Sequence, residues 1–182
     1  FGSATSGVVV GDAQKAVEPL TTLRRWLVGG ALIRHGDGLV LVGNRRRDRS
    51  LEWTPPGGVI DPGETVLGGL CREVREETGL LVRSWVNRCY TVTVDAPDMG
   101  WQLRVEAWEG DQVEGEVLID DPDGIVEQVR HVTAAEAPSL LQASPPWVHA
   151  PVGEWLVGAA TSSYRFVLHG AERSNGRIER LA

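Results

Sequence analysis

One stretch limits the folds open to this chain more than any other: Gly58 to Leu80, GVIDPGETVLGGLCREVREETGL. Its second half reads as a helix, and a helix turns about 100° per residue. With Arg72 set at zero, Glu76 falls near ~40°, Glu73 near ~100° and Glu77 near ~140°. Leu67, Leu70, Cys71 and Val74 occupy roughly 160° to 260° on the same wheel. One stripe is therefore apolar and must pack on a core, while its neighbour is dense in carboxylate. Asp61 and Glu64 add two more acids in the preceding loop. A fold that accommodates this helix buries one side against a sheet and turns the other toward a cleft.

Like charges at i,i+3 and i,i+4 destabilise a helix by a few tenths of a kcal/mol per pair. A solvated acidic face is one reading of the patch. The other is a cation site, because the acids stand beside the Gly-rich segment Thr54-Pro-Pro-Gly-Gly58. Mg²⁺ and Mn²⁺ take oxygen ligands, usually a few carboxylates with waters and substrate phosphates. The two cysteines are 18 residues apart and the four histidines are scattered, which leaves no zinc spacing.

The stretch resembles the Nudix box, GX5EX7REUXEEXGU with U a bulky aliphatic residue. Gly58 leads to Glu64, then to Arg72-Glu73-Val74, Glu76-Glu77 and Gly79-Leu80, and every specified position matches. The resemblance implies a divalent-metal-dependent pyrophosphohydrolase that cleaves a nucleoside diphosphate-linked substrate by attack of water on phosphorus. It implies Glu76 and Glu77 as main metal ligands, Glu73 as ligand or general base, and Arg72 as the residue that orients the glutamates. The Gly58 carbonyl is implied as a ligand, and Glu64 as a supporting residue or a ligand through water. Mg²⁺ or Mn²⁺ is the expected cofactor. The complete box stands against a second reading, a non-catalytic nucleotide sensor on the same scaffold. The stretch SQPWPFPxS of NADH-directed members is absent.

Family members often supply a further acid from beyond the box. Glu114, Glu116, Asp120, Asp121, Asp123 and Glu127 are candidates here, with a solvated surface acid as the alternative for each. Glu127 is favoured as a catalytic residue because it precedes a strand leading into a capped helix. Asp120-Asp-Pro-Asp-Gly124 lacks the alternating register of a calcium loop. Arg45 and Arg46, in the run Arg45-Arg-Arg-Asp-Arg49, are candidates to grip phosphate as planar forks, against a solvated loop. Seven tryptophans are available. Trp53, and Trp101 or Trp108, could stack on a base or simply fill the core.

The remaining segments alternate strand and helix. Arg25–Ile33 and Leu39–Val42 read as strands around the turn His35-Gly-Asp-Gly38, and Val82–Val94, Trp101–Trp108 and Glu127–Val132 as further strands. Thr133-Ala-Ala-Glu136 has the form of a capping box. From residue 145 on, a proline-led helix precedes a hairpin of Tyr164–Leu168 with Ile178–Leu181. This order fits an α/β fold, an α/β/α sandwich around a mixed sheet, which the Nudix resemblance also implies. Residues 1–22 read as an N-terminal extension without the basic n-region of a signal peptide, and 23–182 as a single domain. A net charge of −7 argues against a nucleic-acid polymer or an anionic membrane as partner, and no apolar run has transmembrane length. The expected partner is a small nucleotide or nucleotide derivative, with homodimerisation left open. Few cysteines and no disulfide framework suit the cytoplasm.

Overall fold

A computed structural model describes residues 23–171 and 176–181, so the expected N-terminal extension lies outside the described residues. The strands are β1 (Arg24–His35), β2 (Gly38–Arg45), β3 (Leu51–Thr54), β4 (Gly57–Val59), β5 (Leu81–Ala96), β6 (Trp101–Glu114), β7 (Val126–Val132), β8 (Ser163–His169) and β9 (Arg177–Leu181). The helices are α1 (Val66–Thr78), α2 (Ala137–Leu141) and α3 (Pro146–Leu156). Strand order is β3-β2-β1-β6-β5-β8-β9, with β4 paired to β1 and β7 to β2. β1/β6 and β5/β8 run parallel and the other pairs antiparallel, so the sheet is mixed as expected.

β1 is the pivot. Its first part pairs with β6 and, at Val28–Gly30, with β4, whereas its last two residues turn through Gly36-Asp37 into β2. The sheet is covered on both sides. Leu70 and Val74 of α1 bury against Ala31, Ile33, Val40 and Leu80 on one face. Ala137 and Leu141 of α2 and Trp147, Val152 and Trp155 of α3 join Leu32, Val92 and Phe166 in the larger core on the other. This is the α/β/α sandwich.

Helix α1 begins with Thr65, whose hydroxyl accepts the Gly68 N–H, and ends at Gly79 with φ 76°, a left-handed cap that glycine tolerates without strain. Gly69 is there for space: a Cβ would stand 2.7 Å from a Glu64 carboxylate oxygen and 2.9 Å from Ile60 Cδ1. That contact explains a residue that costs about 1 kcal/mol of helix propensity.

The strand pattern differs from the sequence reading in places, and β3 (Leu51–Thr54) is a strand that the reading lacked. β6 continues past Trp108 to Glu114, because Asp111, Val113 and Glu114 find partners in Ser84, Val82 and Leu81 of β5. The segment after Trp53 holds a short strand, β4, where a loop was expected. Gly57 permits it: its φ is 147°, and a Cβ there would meet the Gly29 carbonyl oxygen at 2.1 Å. The capping box forms as expected, with Thr133 N–H donating to Glu136 and Glu136 N–H donating to Thr133 Oγ1.

Candidate active site

The site is assembled where β4 crosses the acidic stripe of α1. Gly58 lies so close to the helix that a Cβ on it would stand 2.6 Å from the Glu73 carboxyl carbon, so only glycine lets the strand pass. Beside it, Gly57 N–H donates to Glu77 Oε2 at 2.8 Å. Strand and helix are thus joined through the acids themselves.

Arg72 organises the other carboxylates. Its Nε and Nη2 donate to the two oxygens of Glu64 at 3.0 and 2.9 Å, a bidentate fork. Its Nη1 reaches Glu73 at 2.9 Å and Glu76 at 3.3 Å. Glu64 also accepts the Asp61 N–H at 3.1 Å, so both its oxygens are taken. It holds Arg72 and the loop.

The cleft above these groups has a volume of about 620 Å³ and is lined by Gly57, Gly58, Arg72, Glu73, Glu76 and Glu77 from the box region. Asn44, Arg46, Asp121 and Asp123 close it from other elements. The loop after β6 is fastened across the end of α1: Leu118 N–H donates to Thr78 O and Asp120 N–H to Glu76 O. Asp121 then ties its own turn by accepting the N–H groups of Asp123, Ile125 and Val126. Two aspartates are delivered to the helix by backbone bonds.

Burial and like charge perturb the acids. Loss of solvent pushes the Glu77 carboxyl up to about 8, with Glu73, Asp121 and Glu76 adding repulsion against one Gly57 N–H. Burial also raises Glu73, although Arg72 offsets part of the effect. Glu64 is held below its ordinary value, chiefly by Arg72. Around Glu77 the negative groups outnumber the cations, and the imbalance suits a bound cation.

The other expected residues lie as follows. Arg46 lines the cleft and is paired with Glu52. Glu127 and Arg45 form an ion pair with each other on neighbouring strands, and neither lines the cleft. Trp53 is only 6% exposed; its ring packs on Gly43, and Arg130 lies over it at 5.6 Å. That packing leaves Trp53 no face for a base. Trp108 is half-buried and packs against the α1-side core. Asp121 and Asp123, weighed as candidates but passed over for Glu127, are the acids outside the box that reach the cleft. The turn Asp121-Pro-Asp-Gly124 was the available signal.

Among the described residues no three acidic, histidine or cysteine side chains already converge on one point, since Arg72 holds Glu73 and Glu76. The donor set nevertheless fits a hard divalent cation: all oxygen, several carboxylates, and one of them short of positive charge.

A mixed sheet between helices, with a glycine strand laid across an acidic helix, defines an α/β/α sandwich with a carboxylate-lined cleft. The NUDIX domain model matches residues 23–156, and the chain belongs to that family. It is similar to an RNA pyrophosphohydrolase of Erythrobacter litoralis (strain HTCC2594), 34% identical over 92 residues that cover 48% of this chain and 54% of that protein. It is similar also to the mouse 8-oxo-dGDP phosphatase NUDT18, 31% identical over 75 residues, 38% of this chain and 23% of that protein. The chain thus spans about half or less of the length of these curated relatives. A MutT protein from Bacillus halodurans shares the fold with a TM-score of 0.63 at 22% identity, over 85% of this chain and 97% of that one.

Proposed function

We propose that this protein is a divalent-cation-dependent pyrophosphohydrolase acting on a small nucleoside diphosphate-linked substrate. The observation that carries the reading is Glu77, a partly buried carboxyl lining an open cleft, which accepts one backbone N–H and lies in the repulsive field of three other acids. Family membership and the phosphoanhydride chemistry in the names of the two relatives support it.

Glu73, Glu76 and Glu77 would hold the cation, Mg²⁺ or Mn²⁺, with the Gly58 carbonyl beside them and Asp121 and Asp123 at the rim. The bound ion would neutralise phosphate oxygens and lower the pKa of a water molecule. Arg72 keeps Glu73 and Glu76 from splaying apart. Glu73 suits proton acceptance, because its raised pKa brings it nearer neutral pH and Gly58 lets the backbone pass close to it. Arg46, at the cleft wall, would meet the outgoing phosphate by exchanging Glu52 for it. Behind Gly57 and Thr54 an apolar cavity of about 200 Å³ opens between the sheet and α3, lined by Val28, Leu32, Tyr90, Val105 and Trp147 among others. It would take a base or other flat group joined to the diphosphate. Free thiols at Cys71 and Cys89 fit a cytoplasmic setting.

The direct test is release of phosphate or pyrophosphate from a nucleotide panel with Mg²⁺ or Mn²⁺, comparing the parent with Glu77→Gln. We expect cleavage by the parent and a loss of at least about two orders of magnitude in the variant, as several kcal/mol of transition-state stabilisation depend on the cation. Undiminished turnover by Glu77→Gln would remove Glu77 from the site.

A further inference from the structure

Helix α3 forms one wall of the apolar cavity behind Gly57, through Trp147, Val148 and Val152. Its backbone holds it less firmly than that of an unbroken helix. Pro151 stands in its middle and has no N–H to donate to the Trp147 carbonyl one turn back. Where this wall lies therefore depends on how the far end of α3 is fastened.

That end is gripped from β9. Arg180 Nη1 donates to Glu154 Oε1 at 2.6 Å and Nη2 to Oε2 at 3.3 Å, a fork on one carboxylate. Tyr164 of β8 donates its hydroxyl to the same Oε2 at 2.8 Å and accepts the Thr161 N–H at 3.0 Å. The Arg180 guanidinium also lies over the Tyr164 ring, 5.0 Å from its centroid. Glu154 is seven residues beyond Trp147, roughly 10 Å along an ideal helix and about 20° round it. A shift of one carries the other.

The same cluster reaches the opposite wall. Tyr164 opposes Val92 of β5 in the parallel register and meets Tyr90 edge to face, with centroids 5.5 Å apart. Tyr90 and Val92, alternate residues on one face of β5, both line the cavity. Arg180 and Glu154 keep 44% and 29% of their side-chain surface in solvent, so their pairing adds little to stability. What the fork supplies is position. β8 and β9 lie beyond the residues that the NUDIX domain model matches.

We propose that Arg180, Glu154 and Tyr164 are positioning residues that fix the spacing between α3 and β5, and so determine how tightly the apolar cavity grips the ring joined to the diphosphate. This rests on the reading of the cleft as a diphosphate site. The carboxylate cleft shares only Gly57 with the apolar cavity, so loosening α3 weakens the hold on the ring and spares the hold on the phosphates.

Calorimetric titration in Mg²⁺ with the α,β-methylene analogues of ADP and GDP, and with methylenediphosphonate, which has no base, tests this without turnover. For whichever nucleotide analogue the parent binds more tightly, Arg180→Ala should weaken binding about fivefold, part of the worth of one well-held ring, and leave methylenediphosphonate within about twofold. Arg180→Lys, which keeps the charge but not the fork, should fall between parent and Arg180→Ala. In hydrolysis, Arg180→Ala should raise KM and keep kcat within about twofold. Unchanged nucleotide affinity in Arg180→Ala overturns the proposal, and so do equal losses for the nucleotide and for methylenediphosphonate. A parent that binds none of the probes would overturn the reading of the cleft and this inference with it.

Discussion

Glu77, the proposed cation ligand, stands where its charge works against the fold. Its carboxyl stands near 8 in the folded chain against an ordinary 4.5. Below about pH 4.5 it is protonated in both folded and unfolded states and has no effect on stability. Above that, the unfolded chain ionises first, so the contribution of Glu77 to the stability of the metal-free fold falls as pH rises toward 8 and levels off beyond. Glu77→Gln removes the charge that is hard to bury. We expect the metal-free variant to melt higher than the parent at pH 8, and at nearly the same temperature at pH 4, by calorimetry. Equal melting temperatures at pH 8 would contradict the burial account. The same variant is expected to be inactive, so stability and activity move in opposite directions.

At the scale of elements, α1 is fitted to its neighbours by missing atoms. Gly69→Ala would gain about 1 kcal/mol of helix propensity in a free helix. Here the methyl would press on Glu64 and Ile60, so we expect a net loss of stability, read as a lower denaturation midpoint with an unchanged m-value. Because Glu64 anchors Arg72, activity should fall as well. The loop after β6 makes a separate contribution. Asp121→Asn would remove one negative charge from the cleft and leave one acceptor oxygen, enough for the Ile125 and Val126 N–H groups but not for that of Asp123 as well. The expected outcome is weaker Mn²⁺ binding by about tenfold or less in a titration, with a small fall in melting temperature from the one turn hydrogen bond that is lost.

For the whole molecule, a cation that binds only the folded chain stabilises it by mass action, about 2.7 kcal/mol at a hundredfold excess over its dissociation constant. The acid cluster makes that gain largest where the metal-free fold is weakest. Melting curves with saturating Mg²⁺ should therefore vary less between pH 5 and pH 8 than curves with chelator. A melting temperature indifferent to Mg²⁺ at pH 8 would argue against a cation among Glu73, Glu76 and Glu77. No helix among the described residues is long and apolar enough to cross a membrane.

What the sequence determined was local and periodic. The 3.6-residue repeat placed Leu70 and Val74 on the buried side of α1 and the glutamates on the other, and the strand alternation, the Thr133/Glu136 box and the proline-led helix were equally legible. These depend on backbone geometry that every chain shares. What only the tertiary structure decided was who meets whom. Glu127 looked well placed along the chain but pairs with Arg45, while Asp121 and Asp123 reach the cleft because their loop is bonded to the end of α1. Trp53 adjoins the Gly-rich segment in sequence yet packs into the core, whereas Trp26 and Trp101, 75 residues apart in number, share one cavity through parallel pairing of β1 and β6. Contacts between distant segments arise from sheet order and loop anchoring, and no local pattern of residue types encodes either.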